Sequence, residues 1–328
     1  MQPDQPTAGP PWFQGFDVRR FGVNGTEIYV RYGGVRGKPP LLLLHGFPQT
    51  HAIWHRIARQ LEEHFFLVMP DLRGYGDSAK APGLADHANY SKRTMAQDMV
   101  EVMQALGVER FGLCGHDRGG RVAHRLALDH PKRVSKLCVI DIAPTLDMYA
   151  ATNMDFARAY YHWFHLIQPA PLPETMIGAN PRMYLHAKLG GWRISDPHAD
   201  AAPEGRAALG APRRPADGLD YIEPQALAEY ERCFCRAESI HAACEDYRAS
   251  AGIDLEHDRE SRARGDRIAC DLLALWGERG LVGKMFKPIE LWQAQCAGRV
   301  SGHGMPSGHF IPEELHAETA QALRGFFA

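Results

Sequence analysis

The sequence predicts an α/β fold: a mostly parallel sheet covered by helices on both faces, with a helical cap inserted after the sixth strand. Three observations predict it. Short apolar runs alternate with helical stretches along the first part of the chain. Most of these runs are continuously apolar, as strands buried on both faces are. The rhythm breaks after Pro144 and returns near residue 271.

The elements follow in order. Residues 26–31 alternate like an antiparallel edge strand. Residues 41–46 (LLLLHG), 65–71 (FFLVMPD), 111–117 (FGLCGHD) and 136–142 (KLCVIDI) each read as a buried strand ending in polar residues. Between them, residues 51–64, 94–106 and 118–130 read as helices, the last stopped by Pro131, which cannot continue a helix comfortably. Residues 149–248 are helical and aromatic, interrupted by the Pro/Ala/Gly-rich segment from Ser195 to Asp220. The strand pattern resumes at residues 271–277 (DLLALWG) and 298–308 (GRVSGHGMPSG). One core split by a cap accounts for this order: residues 1–148 and 261–328 form the core, and residues 149–260 the cap.

Composition excludes several classes. The 328 residues can bury a large core, and 45% hydrophobic with 23% charged is ordinary for a globular protein. A formal charge of -2 argues against nucleic acid as a partner. No apolar run approaches the roughly 20 residues of a membrane span. The opening MQPDQPTAGPPW has neither the basic nor the apolar region of a signal peptide. Seven scattered cysteines read as reduced thiols, so a cytoplasmic location is expected. The Cys233/Cys235 pair alone is a weak metal signal.

The chemistry starts at Gly115-His116-Asp117-Arg118-Gly119, where a buried strand turns into a helix. This is the nucleophile elbow of an α/β-hydrolase core, with aspartate where serine is commoner. Glycines flank it because side chains there would collide in so sharp a turn. The following helix N-terminus favours an anion, so Asp117 is expected to stay ionised. An aspartate at such a junction can be a plain helix cap, but the flanking glycines and the partners below favour a nucleophile. No Gly-x-Ser-x-Gly occurs, which argues against a serine esterase.

An aspartate nucleophile attacks a carbon bearing a leaving group and becomes an ester. Water must then attack that ester, which needs a general base and an oxyanion hole. His309, in Pro306-Ser307-Gly308-His309 after the last strand, stands where the hydrolase order puts the base, with His303 its nearest competitor. The orienting acid has two candidates, Asp141 at the tip of an apolar strand and Glu278 after DLLALWG. A charge at so apolar a tip needs a partner, which favours Asp141. The oxyanion hole is expected at the backbone N–H groups of Phe47, in HGFPQ, and Arg118.

With HGFPQ, DLRGYGDS, GHDRGGR, LDHP, DIAPT, HWF, QPAPLPE, DYRA and SGHF in place, the chain resembles the fluoroacetate (haloacetate) dehalogenase family from about Phe16 to Phe327. The resemblance implies Asp117 as nucleophile with His309 and Asp141, and Arg118 and Arg121 as ligands of a substrate carboxylate. Three apart on one helical turn, two guanidiniums suit that anion. It further implies that His162, Trp163 and Tyr247 donate hydrogen bonds to the departing halide, and that the protein is a homodimer. The implied partner is a small halogenated carboxylic acid, and no cofactor or metal is expected. Trp192 is expected to line the pocket or its entrance. His165, after His-Trp-Phe, and the long Ser195 to Asp220 segment depart from the family's pattern.

Three rivals stand beside this reading. An epoxide hydrolase would use the same nucleophile, with Tyr160 or Tyr161 and Tyr247 activating the ring oxygen; it would need no carboxylate clamp. An inactive fold serving as a small-molecule receptor need not keep the water-activating pair. A zinc enzyme could use His51 and His55, but nothing supplies a third ligand.

Overall fold

In a computed structural model, which describes residues 11–190 and 218–328, the apolar runs become strands of one sheet. The strands are β1 (Phe16–Val23), β2 (Thr26–Gly34), β3 (Pro40–Leu44), β4 (Phe66–Pro70), β5 (Phe111–His116), β6 (Val134–Ile140), β7 (Asp271–Gly277) and β8 (Val300–Met305). Their order is β1-β2-β4-β3-β5-β6-β7-β8, with β1, β2 and β4 joined antiparallel and all other pairs parallel. Every residue of β4 and β5 is buried, as continuous apolar runs in a parallel centre must be. Alternation decides which face each side chain serves: Leu42 and Leu44 join one core cluster, Leu41 and Leu43 the other.

Two expectations need correction. Residues 26–31 do form an antiparallel strand, but β2 lies between β1 and β4 and is not the edge. The edge is β1, which the sequence hides because Asp17, Arg19 and Arg20 interrupt its apolar pattern. Charge on an edge strand blocks pairing with foreign strands, so the disguise has a function. Residues 51–64 are also not one helix: a 3-10 turn, His51–Trp54, capped by the Thr50 hydroxyl, precedes α1 (His55–Leu61).

The core helices also include α2 (Lys92–Ala105) and α3 (Arg118–Asp129), and after β7 the helices Leu281–Met285, Pro288–Gln295, Ile311–Glu314 and His316–Phe327. Among the described residues, only helices separate β6 from β7. They are α4 (Thr145–Ala150), α5 (Met154–Ala159), α6 (Tyr161–His165), α7 (Leu172–Gly178), α8 (Pro181–Gly190), α9 (Pro224–Phe234), α10 (Ala237–Ala251) and α11 (Ile253–Arg264). Their buried side chains, Phe156, Trp163 and Tyr247 among them, belong to the same cluster as one face of the sheet. The cap therefore shares a core with the sheet and encloses the strands' C-terminal ends. Trp192 and most of the segment from Ser195 to Asp220 lie outside the described residues. No helix among those described is long and apolar enough to cross a membrane, and all seven cysteines are free.

Candidate active site

Asp117 occupies the single residue between β5 and α3, with φ 46 and ψ -117. A non-glycine residue with φ in this range costs on the order of 1–3 kcal/mol, a cost met by the packing around it. That packing is backbone against backbone. A Cβ on Gly115 would stand 2.4 Å from the Gly119 carbonyl oxygen, and one on Gly119 would stand 2.3 Å from that of His45. Larger residues at either position would push the elbow apart.

Asp141 repeats the device at the end of β6, with φ 51. Its N–H donates to the Leu275 carbonyl at 2.7 Å, and its Oδ1 accepts from the Gly277 N–H at 2.9 Å. Oδ2 is thereby turned to His309, whose Nδ1–H donates to it at 2.5 Å. Of the two candidate bases it is His309 that meets a buried carboxylate, and that carboxylate is Asp141 rather than Glu278. His303 stands exposed on β8. Burial alone would lower the His309 pKa; the hydrogen bond and charge of Asp141, helped by Asp117, outweigh it and hold the ring above the ordinary histidine range. Burial holds neighbouring His116 down at about 3, so it is neutral, and its Nε2–H fixes the His309 carbonyl at 2.8 Å.

Burial likewise opposes charge on Asp117, but the positive charges of His309, Arg121 and Arg118 prevail, keeping its carboxyl below the usual carboxylate range. The Phe47 N–H donates to Asp117 Oδ2 at 3.0 Å. One oxygen is held and the other left free. No hydrogen bond forms between the Asp117 side chain and the first turn of α3, so of the two expected oxyanion donors the structure brings Phe47, and not Arg118, into contact.

The two arginines are placed differently from one another. Arg118 is fully buried and gives Nε and Nη2 to Asp246 on α10, each to a separate carboxylate oxygen at 2.8 Å. Lys92 and the Tyr75 hydroxyl also donate to Asp246. Breaking such a buried pair typically costs roughly 3–5 kcal/mol. Among the described residues only Nη1 of Arg118 is left without a partner. Arg121 is buried as well, yet among the described residues it pairs with no carboxylate. Its Nη1 donates to Thr145 Oγ1 at 2.8 Å and to the Ala143 carbonyl at 3.4 Å, its Nη2 meets the Met148 sulfur at 3.3 Å, and its Nε is unpartnered.

Each guanidinium lies under an aromatic ring from the cap: Arg118 is 4.1 Å from the Tyr247 ring centroid, and Arg121 4.7 Å from that of Trp163. The expected halide donors come together here. His162 stacks on Phe47 and meets the Tyr247 ring edge-on, with centroids 6.0 and 5.7 Å apart. Among the described residues the Tyr247 hydroxyl is buried with no partner. Orphaned buried donors are costly and mark places built for something else.

A cavity of about 140 Å³ opens on Asp117, His309, His162, Trp163, Tyr160 and Lys188. At roughly 30 Å³ per water it takes a molecule of a few heavy atoms. Arg118, Arg121 and Tyr247 sit behind its wall, within charge range of Asp117. His51 and His55 serve elsewhere, bonded to Asp71 and Glu223 respectively.

Sequence reading missed two residues. Asp246 stood next to Tyr247 without a role, although an acid on a cap helix had two core arginines to meet. Lys188 carried no local signal, because its place depends on how the cap lies over the sheet; of the tyrosines offered for the rival reading, Tyr160 is the one that lines the cavity.

Residues 39–309 match the family model of the alpha/beta hydrolase fold. Over 316 residues, spanning 96% of this chain and 95% of the relative, the sequence is 40% identical to a fluoroacetate dehalogenase from Burkholderia sp. It is 30% identical to a soluble epoxide hydrolase from Corynebacterium sp. (strain C12), covering 93% and 95% of the two chains. The crystal structure of an alpha/beta hydrolase from Nostoc sp PCC 7120 superposes with a TM-score of 0.85 at 49% identity, over 96% of this chain and 98% of that one. The aspartate elbow, its histidine–aspartate pair and this full-length likeness lead to one conclusion: the chain belongs to the fluoroacetate (haloacetate) dehalogenase family of the α/β-hydrolase fold.

Proposed function

We propose that this hydrolase cleaves the carbon–halogen bond of haloacetates, giving glycolate and halide through an ester of Asp117. The observation that carries the proposal is Arg121, a buried guanidinium beside the nucleophile with no carboxylate of its own among the described residues. A buried charge calls for a partner, and a substrate carboxylate is the partner that the reading supplies. The unpaired Nη1 of Arg118 adds a second donor.

The steps follow from the contacts. With the carboxylate toward the arginines, the oxygen of Asp117 not held by Phe47 attacks the halogen-bearing carbon. The carbon–oxygen bond forms as the carbon–halogen bond breaks, and halide leaves toward His162, Trp163 and Tyr247. Charge grows on the halogen in this transition state, so donors aimed there lower the barrier. His309 then takes a proton from water, its new charge stabilised by Asp141, and the hydroxide attacks the ester carbonyl. That carbonyl oxygen is Oδ2, already facing the Phe47 N–H. Collapse of the intermediate returns the Asp117 carboxylate and frees glycolate.

One observation favours a second reading. Tyr160 lines the cavity, and the Tyr247 hydroxyl is unpartnered behind it, so two cap tyrosines stand near Asp117 as epoxide opening would require. Substrate charge separates the readings. Chloroacetate should release chloride with turnover, chloroacetamide of nearly the same size should release at least a hundredfold less, and a neutral epoxide such as styrene oxide should not be opened. Comparable chloride from acid and amide would remove the basis of the proposal, and epoxide turnover without halide release would favour the second reading.

A further inference from the structure

Among the described residues Lys188 is the one ammonium on the wall of the cavity, and it pairs with no carboxylate there. It projects from α8 toward α6, where its Nζ lies 3.4 Å from His162 Nδ1 and 4.1 Å from the centroid of the Tyr161 ring. A face-on ring and an imidazole nitrogen are both electron-rich partners for a cation. An ammonium has three donors and no acceptor, so in this contact Nδ1 must be the acceptor.

His162 is half-buried on the cavity wall, and its desolvation there, with the charge of Lys188 next in weight, drives its pKa well below the ordinary histidine value. A neutral imidazole carries a single N–H. With Nδ1 accepting from Lys188, that hydrogen resides on Nε2, and among the described residues nothing accepts from Nε2. The ring cannot swing away either, since it is stacked on Phe47 and flanked by Tyr247.

We propose that Lys188 is a positioning residue: its ammonium donates to Nδ1 of His162 and keeps the ring's one proton on Nε2, as a donor for the departing halide. The halide part rests on the dehalogenase reading; the fixed tautomer does not. Burial pushes the Lys188 ammonium down to about 8, which leaves it protonated and unable to accept at neutral pH. Without this contact the two neutral tautomers would compete, and an Nδ1–H form would turn a lone pair toward a departing anion. The other ionisable groups bearing on His162 are His165 beside it, Arg118 on α3 and His309 across the cavity. None of them hydrogen-bonds its ring.

Two variants test the proposal. Lys188→Met keeps the stem and removes the donor; Lys188→Arg keeps a permanent donor. Nitrogen NMR of histidine-labelled protein without substrate reads the tautomer, with a His162→Gln variant assigning the ring. The Nε2-protonated pattern is expected in the wild type and in Lys188→Arg, and a mixture of tautomers in Lys188→Met. An Nδ1-protonated ring in the wild type, or an unchanged pattern in Lys188→Met, overturns the assignment, whether or not the protein releases halide. In turnover, Lys188→Met should lose kcat on fluoroacetate by roughly tenfold to a hundredfold with little change in KM, the scale of a misplaced catalytic contact. The loss should be smaller with bromoacetate, and Lys188→Arg should restore most of it. A rise in KM alone, equal for every halide, would make Lys188 a ligand of the substrate carboxylate and overturn the positioning role. No halide release from the wild type would count against the dehalogenase reading and leave the tautomer to be judged by NMR.

Discussion

His309→Asn is expected to release about one halide per site from chloroacetate and then stop, whereas Asp117→Ala releases none. On the proposed pathway the two residues serve separate steps, so their loss would have separate signatures. Asp117 would form the bond to carbon, and among the described residues no other carboxylate lines the cavity. His309, held at 2.5 Å by Asp141, would take no part in that first attack but would be the base for the water that follows. Intact-mass analysis of the stalled His309→Asn protein should find a carboxymethyl ester on Asp117. Continued turnover by this variant would remove His309 from the second step, and an adduct elsewhere would remove Asp117 from the first.

Trp163→Phe is expected to cost fluoroacetate turnover on the order of a hundredfold or more, with a clearly smaller loss for chloroacetate and bromoacetate. Fluoride is small and basic, and cleaving its bond to carbon asks most of donors that meet the developing charge. The substitution removes one N–H and keeps most of the ring, so the stacking over Arg121 largely survives. A thermal midpoint close to that of the wild type would separate lost catalysis from lost folding. Equal losses for all halides would reduce Trp163 to a packing residue of the cap.

How much was legible in the sequence varied with how local the determinant is. Asp117 and Asp141 drew notice because each ends an apolar strand, where a charge needs a partner, and at Asp117 the flanking glycines weighed against a plain helix cap. His309 followed from its place after the last strand. The aromatic cap residues His162, Trp163 and Tyr247 could not be read from periodicity, since aromatic clusters in helices are more often core, and the family likeness carried them. Other features depended on tertiary contacts that no spacing encodes. Asp246 takes most of the donors of Arg118, so the two arginines expected to form a symmetric clamp are unequal, and Arg121 is the one left without a carboxylate. Lys188 meets His162 across two cap helices that touch only when folded. β1 was hidden by the charges that suit an edge.

The origin of the product's oxygen tests the ester pathway most directly. In a single turnover of fluoroacetate with excess enzyme in heavy-oxygen water, glycolate should take its hydroxyl oxygen from Asp117 and emerge unlabelled. The heavy atom should remain in the side chain of Asp117, where peptide mass spectrometry can find it. Heavy oxygen in the glycolate hydroxyl, with Asp117 unlabelled, would mean that water attacks the substrate carbon directly and that no ester forms.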